Sequence, residues 1–220
     1  MIDTMGDDLR GLLAELHEQG QEHDARQERH DDRLRNLEPE TAALLAVLVR
    51  SGRRRRLLEI GTSNGYSTVW LAWAADATGG RVTSVEIDPG RQGMADENLR
   101  RAGLRDLVDL KLGDATEVVG DLPGPFDLVF FDADRVSAPT QLELLVPKLA
   151  PDVMLLADNV LSHPEEVAGY LEALERLPGF DRLVVSVGKG LSIAYRGTAE
   201  EMPSRVSRVS EKTSSRQPGE

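Results

Sequence analysis

From residue 55 onward, short apolar segments alternate with segments of helical length, and no other feature of the chain constrains the fold as much. The apolar segments predict strands at Arg55–Ile60, Arg81–Ile87, Leu107–Leu112, Phe126–Phe131, Val153–Ala157, Arg182–Val187 and Leu191–Tyr195. The segments between them predict helices at Ser67–Ala77, Gly90–Ala102, Ala138–Leu149 and Pro164–Leu177. Strands this apolar are typical of a parallel sheet that helices cover on both faces. The last two strands flank Gly188-Lys189-Gly190, which indicates a hairpin. We therefore predict an α/β fold with a mostly parallel seven-stranded sheet and an antiparallel C-terminal hairpin.

The N-terminal part predicts extra helices outside this alternation. Four leucines follow the i, i+3, i+4, i+7 spacing of an amphipathic helix: Leu9, Leu12, Leu13 and Leu16. Gly20 is expected to interrupt that helix, and the polar stretch Gln21–Arg35 is suited to lie across a partner subunit. A second helix is predicted over Thr41–Val49, with Pro39 in its first turn, where a missing N–H is not needed.

The chain length and local composition predict one main domain with two attachments. A chain of 220 residues suits one domain of roughly 150 residues plus extensions. We assign residues 1–37 to an N-terminal helical extension and residues 38–197 to the main domain. Residues 198–220 contain few apolar side chains and are predicted to form a disordered tail, because they cannot bury enough surface to offset the entropy of ordering.

The charge and cysteine content exclude several classes of function. The chain has 26 basic and 38 acidic residues, a net charge of −12, which disfavours both nucleic acid as the main partner and an anionic membrane surface. With no cysteine, it has no disulfide, thiol nucleophile or thiolate metal site. The longest apolar run, Ala42–Val49, is too short to cross a bilayer, and the acidic start lacks the layout of a signal peptide. We expect a cytoplasmic protein.

The loop after the first predicted strand is rich in glycine and leads directly into a helix. It reads Glu59-Ile60-Gly61-Thr62-Ser63-Asn64-Gly65-Tyr66-Ser67. Gly61 and Gly65 allow close approach of the backbone to a ligand, and the helix N-terminus offers free N–H groups. The dinucleotide-binding pattern GxGxxG is not met, because its second glycine would fall at Ser63.

Four further strands also end in polar residues, and the carboxyl ends of parallel strands form the ligand edge of such a sheet. These strand ends are Glu86, Gly113-Asp114-Ala115, Asp132-Ala133-Asp134-Arg135 and Asp158-Asn159. An acid at position 86 can accept hydrogen bonds from ribose hydroxyls, and a carboxylate at 114 can accept one from an adenine amino group. Such a series of polar strand ends is hard to explain as solvation alone.

Three of these residues form a candidate metal site. Asp132, Asp158 and Asn159 supply three oxygen ligands, a hard set suited to Mg²⁺, and leave coordination positions for water or a substrate oxygen. A turn at the end of the strand, with side chains bonded to the backbone, would explain Asp158 and Asn159 equally well.

The stretch from about Leu34 to Arg196 resembles the cation-dependent O-methyltransferases of class I, which include catechol and caffeoyl-coenzyme A O-methyltransferases and small bacterial relatives. The segments that carry the resemblance are Glu59–Ser67, Asp132–Asp134, Asp158-Asn159 and Gly188–Leu191. It implies a Rossmann-like fold, S-adenosylmethionine as cofactor and Mg²⁺ or a similar ion held by Asp132, Asp158 and Asn159. The cofactor-binding residues predicted on this basis are Glu59, Gly61, Thr62, Ser63, Gly65, Tyr66, Ser67, Glu86, Gly113, Asp114, Ala115 and Asp132.

The sequence departs from the family pattern at Arg135. The family usually has a lysine there, which acts as general base in catechol O-methyltransferase, but arginine stays protonated at neutral pH. Arg135 is then suited to orient the substrate. Base function would fall to the metal alone, which lowers the pKa of the bound hydroxyl, to water, or to another residue, for which His163 is the candidate. A solvated residue at the start of a helix is the alternative interpretation of His163. The predicted catalytic residues are Asp132, Arg135 and His163.

These observations predict transfer of a methyl group from S-adenosylmethionine to a hydroxyl of a small, catechol-like substrate. A transfer RNA hydroxyuridine O-methyltransferase and a catalytically silent cofactor-binding or scaffold subunit are the alternatives. A homodimer is also expected, from the resemblance and from the leucine stripe of residues 9–16, which needs a partner surface.

Overall fold

A computed structural model describes residues 4–29 and 32–198; residues 199–220 of the predicted tail lie outside this range. In the described residues, seven strands form one sheet in the order β3-β2-β1-β4-β5-β7-β6. They are β1 (Arg56–Ile60), β2 (Arg81–Glu86), β3 (Val108–Leu112), β4 (Phe126–Phe131), β5 (Leu149–Ala157), β6 (Asp181–Val185) and β7 (Leu191–Arg196). The first five strands pair in parallel, and β7 is antiparallel to both β5 and β6. The predicted sheet and hairpin are confirmed.

Helices cover both faces of this sheet. They are α1 (Asp7–Ala25), α2 (Pro39–Ser51), α3 (Tyr66–Asp76), α4 (Pro89–Arg101), α5 (Ala115–Asp121), α6 (Ala138–Leu145) and α7 (Pro164–Glu175). Leu57 of β1 packs in one apolar cluster with α1 to α4, and its neighbour Leu58 packs in a second cluster with α5 to α7. Successive side chains of a strand point to opposite faces, so a strand buried on both sides must be apolar at every position. No helix among the described residues is long and apolar enough to cross a membrane.

The first helix differs from the prediction, because α1 continues through Gly20 to Ala25. Gly20 is needed there for packing. A Cβ on this residue would lie 2.3 Å from Nδ2 of Asn36, which donates a hydrogen bond to the carbonyl of Leu16 at 2.9 Å. The glycine therefore makes room for the returning chain.

The apolar stripe of α1 is buried within its own chain. Leu12, Leu13 and Leu16 belong to the same cluster as Leu37 and Leu45. The stripe therefore does not require a partner surface, and that argument for a homodimer was wrong. The homodimer itself stays a prediction, supported by the family resemblance.

Two other elements differ from the sequence prediction. The short helix α5 was not predicted, although Asp114 caps it by accepting from the N–H groups of Thr116 and Glu117 at 2.8 and 3.2 Å. The helix α6 ends at Leu145 and a 3-10 turn containing Pro147 follows, because proline lacks the N–H needed to continue a helix. Strand β5 then begins at Leu149 rather than at residue 153.

Candidate active site

A cavity of about 1160 Å³ opens at the carboxyl ends of β1 to β5. Most of the residues predicted for the site line it: Gly61, Thr62, Ser63, Tyr66, Ser67, Glu86, Gly113, Asp114, Ala115, Asp132, Arg135, Asn159 and His163. Glu59 and Gly65 are not on its wall, and Asp158 lines a small adjoining cavity together with Arg135. The structure thus brings the glycine loop and the polar strand ends into one space.

The glycine loop is pressed against the end of β4. Gly61 has a φ of +102°, and a Cβ on it would lie 2.4 Å from the carbonyl oxygen of Asp132. Any side chain would push these two loops apart. Gly65 has a different function, since its φ is +84° and a Cβ there would lie 2.9 Å from Ala95 of α4. Gly65 therefore serves helix packing, while Gly61 joins the loop to Asp132.

Glu59 lies beneath the glycine loop, fully buried. Its carboxylate accepts hydrogen bonds from the hydroxyls of Ser67 (2.6 Å), Thr68 (2.5 Å) and Ser84 (2.6 Å). Burial raises the pKa of Glu59 to about 7, because the hydroxyl donors compensate only part of the lost hydration. Glu59 therefore links β1 to β2 and to the start of α3 by hydrogen bonds. These bonds hold the glycine loop, which lies between β1 and α3, in place.

Glu86 presents a carboxylate to the cavity in a fixed orientation. Its Oε2 accepts from the backbone N–H of Ser63 at 2.7 Å, and its Oε1 accepts from the N–H groups of Ile87 and Asp88 at 2.9 Å each. A carboxylate has about four acceptor sites, so three backbone donors leave about one free, on Oε2. Oε2 can accept a further hydrogen bond from a hydroxyl of a bound ligand.

The three predicted metal ligands are brought together. Asn159 Nδ2 lies 3.3 Å from Oδ1 of Asp132, and Oδ1 of Asp158 is buried without a hydrogen-bond partner in the described residues. Burial raises the pKa of Asp132 well above its usual range, with a further contribution from the negative charge of Asp158. Burial also raises the pKa of Asp158, to about 6. A buried carboxylate with an unpaired oxygen and a second, half-buried carboxylate fit a cation between them.

The donor set here is two carboxylates and one amide. Within the described ranges, no group of three or more His, Asp or Glu side chains is placed to hold a metal ion. A site at Asp132, Asp158 and Asn159 would supply three protein oxygens and leave the other coordination positions for water or ligand oxygens, as Mg²⁺ prefers.

The C-terminal hairpin holds the loop that carries Asn159. The N–H groups of Val160 and Leu161 donate to the carbonyls of Gly190 and Lys189 at 3.1 and 3.0 Å. A Cβ on Gly190 would lie 2.4 Å from the side chain of Leu161. The Gly188-Lys189-Gly190 turn thus holds in place the residues that directly follow Asn159, and with them the candidate metal site.

Arg135 and His163 lie on the same side of the cavity. Arg135 Nε donates to Glu166 Oε2 at 2.8 Å, and its side chain is 15% exposed. His163 Nδ1 lies 2.8 Å from the hydroxyl of Ser162, directly before the start of α7. Both residues line the cavity that Asp132 also lines.

A segment that sequence reasoning did not assign to the site also lines the cavity. Residues 32–38, called the strap below, connect the described end of the α1 region to α2. The hydroxyl of Ser63 donates to the carbonyl of Leu34 at 2.8 Å, and Lys189 Nζ lies 2.8 Å from Glu38 Oε1. The strap therefore contacts both the glycine loop and the hairpin. No local pattern in the sequence indicates these contacts.

The strand order and the glycine loop define a class I methyltransferase fold. Residues 58–160 match a family model described as a methyltransferase domain. An O-methyltransferase from Bacillus cereus, solved in complex with SAH, superposes with a TM-score of 0.73 at 27% identity, over 89% of this chain and 93% of that chain.

Curated relatives agree with this class. A catechol O-methyltransferase from Niastella koreensis is 32% identical over 57% of this chain and 58% of its own length. A catechol O-methyltransferase from Mycobacterium tuberculosis is 38% identical over 53% of each chain. The chain thus spans little more than half the length of these relatives. Its residues 58–160 thus resemble a methyltransferase domain, and the chain is similar to catechol O-methyltransferases and to bacterial O-methyltransferases.

Proposed function

We propose that this protein transfers a methyl group from S-adenosylmethionine to a hydroxyl of a small, catechol-like substrate, with a divalent cation such as Mg²⁺ at the acceptor site. The observation that carries the proposal is the contact of Gly61 with the carbonyl of Asp132. This contact places the glycine loop, which suits a cofactor, directly beside a carboxylate cluster that suits a cation.

The cavity wall offers a suitable partner to each part of the cofactor. Gly61, Thr62, Tyr66 and Ser67 line the cavity and would surround the methionine part. Glu86 would accept a hydrogen bond from a ribose hydroxyl through Oε2, because backbone donors hold its carboxylate in place. Asp114 uses one oxygen to cap α5 and keeps the other for the adenine amino group. Glu59 supports this wall without contacting the ligand.

Asp132, Asp158 and Asn159 would hold the cation. The two carboxylates supply its charge compensation, and the Asn159 side-chain oxygen can be its neutral ligand. A bound divalent cation would lower the pKa of a substrate hydroxyl and orient a neighbouring hydroxyl. The tight packing of Gly61 on Asp132 fixes the distance between the two halves of the site.

The reaction is an in-line displacement, so alignment supplies much of the catalysis. The substrate oxygen forms a bond to the methyl carbon as the carbon–sulfur bond breaks. The products are a methyl ether and S-adenosylhomocysteine, and the hydroxyl proton leaves to a base. Arg135 cannot accept that proton, because a guanidinium stays protonated. We assign the proton to His163, which lines the cavity. In the tautomer whose Nδ1–H donates to the Ser162 hydroxyl, Nε2 is free to accept it.

The experiment that tests this proposal is a calorimetric titration of S-adenosylmethionine into chelator-treated protein, followed by assays of methyl transfer to catechol with and without Mg²⁺. Cofactor binding and Mg²⁺-dependent product would support the proposal in full. Cofactor binding with no product from any catechol would indicate a silent cofactor-binding subunit. No cofactor binding would overturn the assignment of the glycine loop.

A further inference from the structure

The small cavity that adjoins the candidate active site has a largely apolar wall. Its apolar lining includes Ile60, Phe131, Ala138, Ala157 and Val167. Its volume is about 10 Å³ when measured at the centre of a water-sized sphere, which is about the space that one water molecule needs. An organic ligand does not fit in this volume, and a purely apolar cavity would stay dry. The polar groups on the wall therefore decide what the cavity can hold.

Two of those polar groups are buried and lack a hydrogen-bond partner. Tyr170 of α7 is 1% exposed, and its hydroxyl oxygen forms no hydrogen bond with any residue that the structure describes. Asp158 is 4% exposed, and its Oδ1 also lacks a partner among those residues. The other ionic side chains of the wall are engaged, because Asp134 accepts hydrogen bonds from its own turn and Arg135 pairs with Glu166. Burying an unpaired hydroxyl or carboxylate oxygen is unfavourable, so a partner shared by both groups would stabilise the fold.

Contacts through Phe131 hold Tyr170 and Asp158 near each other. The ring of Tyr170 packs on the ring of Phe131, the last residue of β4, with the ring centroids 5.1 Å apart. The carbonyl of Phe131 accepts from the backbone N–H of Asp158 at 3.2 Å. The Tyr170 hydroxyl and the Asp158 carboxylate nevertheless do not reach hydrogen-bond distance. Two polar groups that line one small cavity without direct contact are suited to a bridging water.

We propose that this cavity binds one water molecule, which accepts a hydrogen bond from Tyr170 and donates one to the carboxylate of Asp158. Tyr170 then acts as a positioning residue for the candidate cation site, and this second part rests on the function proposed above. A neutral phenol can donate, and a carboxylate has about four acceptor sites, enough for a cation and a water together. Hydrogen bonds to a ligating carboxylate orient it and strengthen the binding of the metal.

Tyr170→Phe tests the water site, because this change removes one hydroxyl and keeps the ring. If a water joins Tyr170 to Asp158, the chelator-treated variant loses a hydrogen bond and should unfold at a lower denaturant concentration than the wild type. If the hydroxyl is unpaired, its removal relieves a cost, so an equal or higher midpoint would overturn the water site. A crystal structure of the wild type should show one ordered water within hydrogen-bond distance of both side chains. An empty cavity in that structure would overturn the water site as well.

The positioning role is tested by calorimetric titration of Mg²⁺ into the chelator-treated protein with S-adenosylmethionine bound. Tyr170→Phe should weaken Mg²⁺ binding about tenfold, the lower end of the usual effect of groups that hydrogen-bond a metal ligand. Its affinity for S-adenosylmethionine should equal that of the wild type. Tyr195→Phe is the matched control, because Tyr195 lies on β7 against Arg54 and lines neither cavity. This control should bind Mg²⁺ as the wild type does.

Three outcomes of the titration would overturn the positioning role. The first is an unchanged Mg²⁺ affinity in Tyr170→Phe. The second is an equal loss of Mg²⁺ affinity in Tyr170→Phe and Tyr195→Phe, since the loss would then be a general effect on the fold. The third is a wild-type protein that binds S-adenosylmethionine but no Mg²⁺, which would contradict the cation of the proposed function as well. The denaturation and crystal results decide on the water site in each of these cases.

Discussion

The side-chain amide of Asn159 lies 3.3 Å from the carboxylate of Asp132, and the two residues come from the ends of neighbouring parallel strands. A carboxylate of Asp158 adjoins them with one buried oxygen that lacks a partner among the described residues. Burying two carboxylates together costs free energy unless a cation or a proton compensates. The stability of the loops that carry Asp132, Asp158 and Asn159 should therefore depend on whether a cation or a proton is bound to the carboxylates.

Asp158→Asn should stabilise the chelator-treated protein and abolish its response to Mg²⁺. Because burial raises the pKa of Asp158 to about 6, the wild type holds an unfavourable charge at pH 8 that the amide removes. The gain in the free energy of unfolding should be up to about 3 kcal/mol. Chemical denaturation with and without Mg²⁺ measures both effects. Asp114→Asn, on the same cavity but away from the cluster, should retain the Mg²⁺ response, whereas a retained response in Asp158→Asn would remove that residue from the ligand set.

Glu59→Gln should flatten the dependence of stability on pH. The pKa of Glu59 is raised from 4.5 to about 7 in the folded protein, so the folded state binds this proton more tightly than the unfolded chain. The resulting stabilisation is full below pH 4.5 and is lost as the pH rises through about 7, with a total of up to about 3 kcal/mol. The difference between wild type and variant in denaturant titrations across this window isolates the effect. The exposed Glu97 provides the control, since Glu97→Gln should not change the pH dependence of the free energy of unfolding relative to wild type.

Gly61→Ala should destabilise the protein by about 2–3 kcal/mol, as steric overlap and a strained φ combine. The new Cβ would meet the carbonyl oxygen of Asp132 at 2.4 Å, and only a shift of one loop can relieve the overlap. Cofactor affinity measured by calorimetry should fall with it. The control is Gly93→Ala in α4, where the Cβ meets no atom within 4 Å and the helix should gain about 0.5–1 kcal/mol. Full cofactor affinity in Gly61→Ala would show that the loop contact is dispensable.

The strands and the polar strand ends were predictable because each depends on local sequence. A parallel strand that is buried on both faces must be apolar along its whole length. The residue that follows such a strand lies at the carboxyl edge of the sheet, where ligands bind. The helix α5 was also within reach, because Asp114 followed three positions later by Glu117 is a helix start signal. The helix has only 7 residues, which is too short for a helical pattern of apolar residues to be recognised.

The strap could not be predicted, because its position depends on contacts far along the chain. Asp24 binds the backbone of Leu34, and Glu38 pairs with Lys189 of the hairpin. The two residues of each pair are too far apart in the sequence for helix, strand or turn patterns to indicate the contact. The prediction that Gly20 interrupts the first helix was wrong for the same reason. A glycine that is required for packing against Asn36 cannot be distinguished in the sequence from a glycine that ends a helix.

His163→Gln should lower kcat about a hundredfold if the imidazole accepts the substrate proton. His163 lines the cavity with its Nδ1 against Ser162, and glutamine keeps hydrogen-bonding capacity without a basic nitrogen. Steady-state kinetics at saturating acceptor and cofactor measures the loss. Glu165→Gln, two positions further along at the exposed start of α7, should keep the wild-type kcat. An unchanged kcat in His163→Gln would show that the proton leaves directly to water.

Leu16→Ala should cost about 2–5 kcal/mol of unfolding free energy, the usual range for a leucine removed from a core. Leu16 is 2% exposed and packs with residues of α2 and α3 in the same chain. If the stripe on α1 instead served a partner subunit, the loss would shrink at high protein concentration, because association would restore the burial. Denaturation at two widely separated protein concentrations distinguishes these cases, and the intrachain packing seen here predicts the same loss at both. Leu183→Ala on the edge strand β6, where the side chain is 54% exposed, should change stability by less than about 0.5 kcal/mol and serves as the matched control.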